Sequence, residues 1–372
     1  MKENKPKRKI LVAMSGGVDS SVSAALLVKS RQYAKLRRNF DIEGVFMKFW
    51  EGEDKEVEGA WNRCCSPAAA KRASWVAKSL GIPFTIVDFS KEFKEKIITY
   101  FLDGFRKGLT PNPCIICNEE IKFGLLLEKV SEMGADFIAT GHYTKTSLDF
   151  NNPNSKKPIK LFMGADSNKD QSYFLWKLNQ EKLRHVLFPV SGYEKPQVRK
   201  MAKKFRLPVY NTEESQELCF ITGETDEYLA EQLGEKKGNI VDQQGAVVGE
   251  HNNAAIFTIG QRKGLGLNNG PFYVLEKDAE KNVVVVTKNE KDLYKKELEA
   301  RDVQWLSGKA PKFPLKAKAK IRYRHKEVSV MVTQLANENC KVVFTLPQKA
   351  ITPGQSVVFY KGKELLGGGI IV

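Results

Sequence analysis

Long apolar segments are absent from this sequence of 372 residues. No run approaches the roughly 18 consecutive apolar residues that a membrane-spanning helix requires. The start of the chain, MKENKPKRK, is basic, but a short strand-like run and a glycine loop follow it instead of the apolar stretch of a secretory signal. A mitochondrial presequence is also disfavoured, because this stretch contains no serine and includes Glu3. We therefore expect a cytoplasmic protein that does not associate with membranes.

Cysteine is also scarce in this sequence. The six cysteines are Cys64, Cys65, Cys114, Cys117, Cys219 and Cys340. In a large intracellular protein, such a set is more typical of reactive or metal-binding thiols than of a disulfide framework.

Acidic residues are fewer than basic residues: the chain has 44 Asp and Glu and 60 Lys and Arg, which gives a formal net charge of +16. Because Lys and Arg side chains neutralise phosphates, this excess favours a polyanionic partner, although a merely soluble basic protein is the alternative. Charge alone does not distinguish RNA from DNA or from anionic lipid. The apolar share of 42% is ordinary for a globular protein with an ample core.

The first part of the chain alternates between strand and helix signals. Short apolar runs predict strands at residues 10–14, 42–49, 84–87 and 137–140. Apolar residues at helical spacing predict helices at residues 18–28, 68–80, 92–105 and 121–133. This alternation predicts an α/β fold with a parallel sheet, in which ligands bind beyond the carboxyl ends of the strands.

The pattern changes after about Cys219, where turns rich in Gly and Asn multiply. Short β-branched runs then follow at residues 283–287, 328–332 and 357–360, and they predict a β-barrel or sandwich from about Ala300 onward. We therefore predict three domains: a catalytic α/β domain at 1–215, a small central domain at 216–297 and a C-terminal β-barrel at 298–372. That number fits the length, at about 100–200 residues per domain.

The sequence SGGVDSS lies at residues 15–21, between the first predicted strand and the first predicted helix. Gly16 and Gly17 allow a tight turn and a close approach of an anion to the backbone. The loop amides and the following helix N-terminus suit phosphate, and Asp19 suits a Mg²⁺ ion that bridges phosphate oxygens. The Walker pattern GxxxxGK[ST] is absent from the loop. The alternative is a simple glycine turn.

A second motif, TPNPCIICNEEIKFG, spans residues 110–124. Its two prolines restrict the backbone ahead of a helix, so Cys117 lies near the start of that helix. There the positive end of the helix dipole lowers a thiol pKa and favours the thiolate. Cys114 and Cys117 also form a CxxC pair. A zinc site completed by Cys64 and Cys65 is therefore an alternative, as is a purely structural role.

Cys219 lies in the sequence ESQELCFI, at residues 214–221. By itself a single cysteine among acidic and apolar residues is typical of a buried, inert thiol. Together with Cys117, it suggests a second thiol that exchanges with the first.

These motifs together resemble the MnmA family of tRNA-specific 2-thiouridylases, which are N-type ATP pyrophosphatases. The resemblance covers nearly the whole chain. The matching segments are MSGGVDSSV, GVFMKFW, TPNPCIICNEEIKFG, ATGHY, KDQSYFLW, ESQELCFI, FTIGQRKGLGL, KIRYRH and LGGGII. The resemblance implies a PP-loop domain of the adenine nucleotide alpha hydrolase type, followed by a central domain and a C-terminal β-barrel that binds tRNA.

The resemblance also implies ATP-dependent thiolation of the wobble uridine. The residues at its nucleotide-binding positions are Met14, Ser15, Gly16, Gly17, Val18, Asp19, Ser20, Ser21, Met47 and Gly141. The enzyme would adenylate O2 of the uridine, with Mg²⁺ held by Asp19 through the phosphates. Cys219 matches the cysteine that carries a persulfide. Cys117 matches the nucleophile that pairs with it in a transient disulfide.

The implied partners are tRNA, with the Lys, Glu and Gln isoacceptors expected, and a protein that donates persulfide sulfur; a monomer is expected. The positions that match RNA contacts are Asn112, Pro113, Cys114, His142, Lys169, Asp170, Gln171, Arg322, Tyr323 and Gln355. Cations suit phosphates, and aromatic and amide groups suit a splayed-out base. His142 at a strand end and Tyr323 in a β-rich segment also fit structural roles.

Two positions depart from the family pattern. Some relatives carry Asp where this chain has Cys114, and that Asp is a proposed general acid or base, so Cys114 is not assigned that task. The segment AAAKRA, at residues 68–73, replaces acidic residues that are common in relatives, and we assign it no chemistry.

Two rival functions remain open from the sequence. One is another PP-loop enzyme, such as a cytidine thiolase or an amide-forming ligase. The other is a non-catalytic tRNA-binding module with a vestigial loop. The two distant cysteines and the basic β-rich tail favour the thiouridylase.

Overall fold

The computed structural model describes residues 8–49, 66–149, 157–212, 218–221 and 223–372. Cys64 and Cys65 lie outside these ranges, as does the whole ESQE sequence before Leu218. The zinc interpretation that needs the first two cysteines therefore stays a prediction.

The first domain is built on a parallel five-stranded sheet with the order β3-β2-β1-β4-β7. Its strands are β1 (Arg8–Ala13), β2 (Phe40–Lys48), β3 (Phe84–Asp88), β4 (Phe137–Ala139) and β7 (Val186–Leu187). The central strand β1 is apolar over residues 10–13 and buried there, as expected for a strand that is covered on both faces. The predicted α/β fold with a parallel sheet is confirmed.

The helices of this domain follow the predicted order. They are α1 (Val18–Lys29), α2 (Ala34–Asn39), α3 (Pro67–Leu80), α4 (Ser90–Phe93), α5 (Thr99–Arg106), α6 (Pro113–Ile116), α7 (Leu126–Glu132), α8 (Gln180–Leu183) and α9 (Lys195–Lys204). The segment Lys94–Ile98 joins α4 to α5 in π-helical conformation, and Cys117–Leu125 joins α6 to α7 in the same way.

One predicted helix begins earlier than expected. Apolar spacing predicted its start at Ile121, and the proline motif predicted a start near Cys117. The helix begins at Pro113, because Asn112 caps it. The Asn112 side-chain oxygen accepts a hydrogen bond from the Cys114 amide at 3.2 Å, and Pro113 occupies the first helical position, where no amide donor is needed. Both CxxC cysteines therefore lie within the helical segment.

The central domain has one helix, α10 (Thr225–Leu233), and a four-stranded sheet with the order β10-β11-β8-β9. Its strands are β8 (Gly238–Val241), β9 (Val247–His251), β10 (Tyr273–Asp278) and β11 (Val283–Thr287). These strands enclose a core of their own, with Ile240, Val274 and Val284 completely buried.

The C-terminal domain is a closed barrel of six antiparallel strands. They are β12 (Tyr294–Trp305), β13 (Leu315–Lys320), β14 (Val328–Gln334), β15 (Cys340–Lys349), β16 (Ser356–Lys361) and β17 (Glu364–Ile371). The barrel closes because β12 pairs with both β15 and β17. The predicted C-terminal β-barrel is confirmed, and it begins a few residues before Ala300.

The first domain contributes two strands to the sheet of the barrel. These are β5 (Thr144–Thr146) and β6 (Leu161–Met163), and β6 pairs with β17. We did not predict either strand, because three residues are too few to show an alternating pattern. Residues 150–156, between the two strands, lie outside the described ranges.

Two aromatic side chains fix the barrel to the first domain. The Trp176 indole donates to Ser356 Oγ at 3.1 Å, and the Tyr173 hydroxyl donates to the Ser356 carbonyl oxygen at 2.9 Å. Both side chains are completely buried. Gly368 of the LGGGII motif lies directly over the indole, since a Cβ atom there would come within 2.8 Å of Trp176 Cδ2.

None of the helices in the described ranges has the length and hydropathy needed to span a bilayer.

We predict that Gly368→Val destabilises the protein by about 1–3 kcal/mol, the usual cost of overpacking a well-packed interface. The added side chain would collide with Trp176 and with the Val357 carbonyl oxygen, each at 2.8 Å from the Cβ position. The thermal unfolding midpoint measures the effect. Gly192→Ala is the control, because a Cβ atom at Gly192 meets nothing within 4 Å. Equal midpoints for the Gly368 variant and the wild type would contradict this packing.

Candidate active site

A cavity of about 890 Å³ lies beyond the carboxyl ends of β1, β2 and β4. All three domains line it: Met14, Met47 and Gly141 from the first, Thr258 from the central domain and Gln355 from the barrel. We predicted a ligand site beyond the carboxyl ends of the parallel strands, and the cavity lies there. The central domain and the barrel also contribute to its lining.

The SGGVDSS loop forms one end of the cavity. Gly16 has a φ of +72°, and a Cβ atom there would lie 2.3 Å from the Ala69 carbonyl oxygen, so this position requires glycine. The Ser15 amide donates to Ser20 Oγ at 3.1 Å, which holds the turn closed in front of α1. Gly141 approaches so closely that its Cβ atom would lie 2.6 Å from the Ser20 amide nitrogen.

The predicted nucleotide residues divide into two groups. Those that line the cavity are Met14, Ser15, Gly17, Val18, Asp19, Ser20, Met47 and Gly141. Gly16 and Ser21 lie behind it. The Ser21 hydroxyl is completely buried and donates to the Gly17 carbonyl oxygen at 2.8 Å, so it shapes the loop.

Asp19 is paired with a lysine from a distant part of the chain. Lys195 Nζ contacts both carboxylate oxygens, at 2.8 and 2.7 Å, and the Tyr143 hydroxyl donates to Asp19 Oδ1 at 2.7 Å. Lys195 is 7% exposed, and it lines the cavity at the start of α9. We did not predict Lys195, because no motif surrounds it. Tyr143 ends the ATGHY segment but received no role.

The residues around Asp19 fit a metal that is held mainly by a nucleotide. Within the described residues, no three His, Cys, Asp or Glu side chains form a metal-binding cluster. Mg²⁺ commonly takes one or two protein carboxylates together with phosphate oxygens and water. One carboxylate at the end of a phosphate-sized loop matches that preference.

The cysteine segment forms a second wall of the cavity. Asn112, Pro113 and Cys114 line it, whereas Cys117 lies in the helix behind them and is 6% exposed. Cys219 is half-buried, and its neighbour Leu218 reaches the cavity. Each cysteine is therefore close in sequence to a residue that lines the cavity.

The short segment that carries Cys219 is anchored by Phe220. Its ring packs edge-on against Phe101 at 5.4 Å and against Phe93 at 5.9 Å between centroids. Phe93 belongs to α4, and α4 also contacts the π-helical segment that begins at Cys117. The segment that carries Cys219 therefore packs on a helix that contacts the Cys117 segment.

His142 lines the cavity as a neutral imidazole. Its Nδ1 lies 2.8 Å from Thr140 Oγ1, and its ring packs against Phe123 and Phe188. Burial, with a smaller contribution from the Lys122 charge, lowers the pKa of His142 to about 3. The ring therefore offers hydrogen bonding and stacking rather than positive charge near pH 7.

The predicted triplet Lys169, Asp170 and Gln171 is split by the structure. Lys169 and Gln171 line the cavity, but Asp170 is 4% exposed and turned into the protein. Its carboxylate accepts from the Ser172 hydroxyl at 2.9 Å and lies 3.6 Å from Lys320 Nζ. The carboxylate therefore supports the turn that presents its two neighbours, and the predicted RNA contact of Asp170 stays a prediction.

The barrel contributes Arg322, Tyr323 and Gln355 to the cavity. Arg322 is exposed, and the Tyr323 ring lies 4.4 Å from that of Phe174 at a tilt of 43°. Tyr323 is half-buried, so it belongs to the cavity wall rather than to the barrel core. The Gln355 amide donates to the Thr110 carbonyl oxygen at 2.8 Å.

Arg72 is a cavity residue within the AAAKRA segment, to which we assigned no chemistry. Its Nε donates to the Gly16 carbonyl oxygen at 3.1 Å, beside the glycine loop. The replacement of acidic residues in this segment was the only signal in the sequence.

The charge of the cavity is strongly positive. Among the described residues, the cationic side chains that line it are Arg72, Lys122, Lys169, Lys195, Arg322 and Arg324. The carboxylates on the same surface are Asp19 and Asp226. A cavity with this balance suits polyanions, and its two ends could hold a triphosphate and a nucleic acid.

Comparison with known families assigns each domain. Residues 8–223 match a tRNA methyl transferase HUP domain, residues 226–288 a tRNA methyl transferase PRC-barrel domain, and residues 295–371 an aminomethyltransferase beta-barrel domain.

Several relatives that match this chain over nearly its full length are tRNA-specific 2-thiouridylases. The tRNA-specific 2-thiouridylase MnmA of Acetivibrio thermocellus is 42% identical over 369 residues, covering 98% of this chain and 99% of that protein. MnmA of Clostridioides difficile is 42% identical, with 98% of both chains covered. MnmA 1 of Caldanaerobacter subterraneus is 43% identical, with 98% of this chain and 97% of that protein covered. The chain therefore belongs to the MnmA family of tRNA-specific 2-thiouridylases.

Proposed function

We propose that this protein catalyses ATP-dependent 2-thiolation of the wobble uridine of tRNA. The reaction adenylates uracil O2, transfers sulfur from a persulfide on Cys219, and releases AMP and pyrophosphate. The observation that carries the proposal is the single cationic cavity onto which the SGGVDSS loop and the cysteine segment both face. Family membership supports the same reaction.

ATP is assigned to the end of the cavity formed by the glycine loop. Backbone amides and the N-terminus of α1 bind its phosphates, and Lys195 and Arg72 add positive charge. Asp19 would hold Mg²⁺, which neutralises the phosphates when bound. Because Lys195 lies against the Asp19 carboxylate at the edge of the glycine loop, we propose that its ammonium group also interacts with the phosphates.

The target uridine is assigned to the space between the cysteine segment and His142. The neutral imidazole and the Asn112 and Gln171 amides suit the edge of a flipped-out uracil. Lys169 and Arg322 suit the phosphates of the surrounding tRNA. Asp170 lies between Lys169 and Gln171 in the same proposed RNA-binding stretch, with its carboxylate turned into the protein.

Activation of the carbonyl is what makes sulfur transfer possible. Uracil O2 is a poor leaving group, and adenylation converts it into the phosphate oxygen of AMP, which leaves readily. The terminal persulfide sulfur on Cys219 attacks C2 and displaces AMP. The Cys117 thiolate then attacks Cys219 Sγ, which breaks the S–S bond, leaves the terminal sulfur on C2 and forms a Cys117–Cys219 disulfide. A thiol reductant restores both cysteines.

The persulfide comes from a sulfur-donor protein, and the proposed substrates are the Lys, Glu and Gln isoacceptors. The protein is proposed to act as a monomer, because the three domains of one chain already wall the cavity.

The proposal is tested by mass analysis of tRNA nucleosides after incubation with ATP, Mg²⁺ and a persulfide donor. We expect 2-thiouridine at the wobble position, formed only when ATP is present. A reaction that yields 2-thiocytidine would favour the rival thiolase, and a tRNA with no new thionucleoside would refute the proposal.

We predict that Cys219→Ser abolishes thiolation and leaves tRNA binding unchanged, because a hydroxyl cannot carry the persulfide. Thionucleoside formation and a filter-binding assay measure the two properties. Cys340→Ala is the control, since Cys340 is buried in the barrel core, away from the cavity. A Cys219 variant that loses tRNA binding would contradict the assigned role.

We predict that Lys195→Met slows AMP formation by about 10²-fold, the usual effect of removing one preorganised group that stabilises transition-state charge. The exposed Lys200 lies on the same helix, so Lys200→Met is the matched control. Release of AMP in the presence of tRNA measures the effect. A folded Lys195 variant with the rate of the wild type would exclude the phosphate role.

A further inference from the structure

The short segment 109–111 joins α5 to the cysteine-bearing helical segment. Within the first domain, the Leu109 amide donates to the Gly104 carbonyl oxygen at 2.9 Å. Gly104 lies so close to Pro111 that a Cβ atom would come within 2.6 Å of Pro111 Cγ. Asn112 follows at once and caps the helix that carries Cys114 and Cys117. The position of this segment therefore sets where that helix begins.

The barrel holds the backbone of Thr110 from one side. The Thr110 amide donates to the Pro353 carbonyl oxygen at 2.9 Å, and the Gln355 side chain donates to the Thr110 carbonyl oxygen at 2.8 Å. Gly354, with a φ of +91°, lies between them, and a Cβ atom there would be 2.8 Å from the Thr110 amide nitrogen. Both polar groups of one residue are thus bound by the same barrel loop.

The central domain holds the same segment from the other side. The Thr110 hydroxyl lies 3.3 Å from the Thr258 hydroxyl. Lys277 of β10 donates through Nζ to the Ala255 carbonyl oxygen at 2.9 Å, to that of Phe257, and at 3.4 Å to that of Leu109. One ammonium group therefore joins two backbone stretches of the central domain to the segment.

Lys277 is also enclosed by apolar groups. Its Nζ lies 5.3 Å from the centre of the Phe105 ring, on α5. Burial lowers the pKa of Lys277 to about 7, and no carboxylate of the described residues forms an ion pair with it. Burying an ammonium group is costly unless hydrogen bonds compensate for the lost water. Lys277 obtains those hydrogen bonds from carbonyl groups of the first and central domains. The bonds are complete only when these two domains are packed as observed.

We propose that Lys277 and Thr110 are positioning residues that lock segment 109–111 to the central domain and the barrel. This lock places the cysteine segment against the adenylated base only when the central domain and the barrel are both packed against the first domain. The inference rests on the proposed thiolation. Thr110 lines the cavity whereas Lys277 does not, and both would act through the position of the cysteine segment. Placement errors of about 1 Å lower catalytic rates by about 10²-fold, so the cysteine segment depends on such a lock.

If the lock is removed, we expect adenylation of the uridine to become uncoupled from sulfur transfer. In Lys277→Met and Thr110→Val, adenylation at the glycine loop continues, but the cysteine segment is misplaced and water hydrolyses part of the adenylated uridine. The ratio of AMP released to 2-thiouridine formed is therefore expected to rise at least threefold. A lower fraction of folded enzyme would reduce both products equally and leave this ratio unchanged.

The control is Lys281→Met, which removes the same charge from an exposed position in the same domain. We expect it to keep the ratio of the wild type. Unchanged ratios in both lock variants, or an equal rise in the control, would overturn the proposal. The conservative Thr110→Val variant tests the lock even where Lys277→Met fails to fold.

A second readout separates this inference from the proposed function. Hydrogen exchange of a peptide covering residues 109–117 is measured in the protein without tRNA. We expect faster exchange in both lock variants than in the wild type and in Lys281→Met. If the wild type forms no 2-thiouridine, the proposed function fails, and this measurement alone decides the lock. Exchange equal to that of the wild type would then overturn it.

Discussion

The contact between the first domain and the barrel determines whether the cavity exists. Tyr173 and Trp176 are completely buried at this contact, and both donate hydrogen bonds to Ser356. Buried aromatic side chains combine a large apolar area with one directional polar group, so they fix orientation as well as proximity. The strand pairing of β6 with β17 continues the same contact. Because the barrel supplies one wall of the cavity, this packing holds the cavity-lining side chains of the barrel opposite the glycine loop.

The segment that anchors the barrel also faces the proposed substrate. Lys169 and Gln171 line the cavity, whereas Asp170, Tyr173 and Trp176 point into the protein. A single stretch of chain thus carries cavity-lining and buried side chains on opposite sides. Gln171 also accepts a hydrogen bond from the Tyr143 amide at 3.0 Å, so it contributes to the structure of the cavity as well as to its surface.

The sequence predicted those features that depend on local backbone chemistry. The glycine loop, the parallel sheet and the barrel follow from short patterns and alternation. By contrast, Lys195 lies 176 residues from Asp19, and Lys277 lies 168 residues from Leu109, so no local pattern reveals either contact. The burial of Asp170 was missed for the same reason, because its partner Lys320 belongs to the barrel. Residues that join domains become visible only when the domains are packed.

In the proposed reaction, ATP bound at the glycine loop adenylates the same uracil oxygen that sulfur later replaces. The most direct measurement uses tRNA with ¹⁸O at O2 of the wobble uridine, incubated with ATP, Mg²⁺ and a persulfide donor. If the uracil oxygen is adenylated and then displaced, the AMP released carries the ¹⁸O label in its phosphate, one label for each 2-thiouridine formed. Formation of 2-thiouridine with unlabelled AMP would contradict this account.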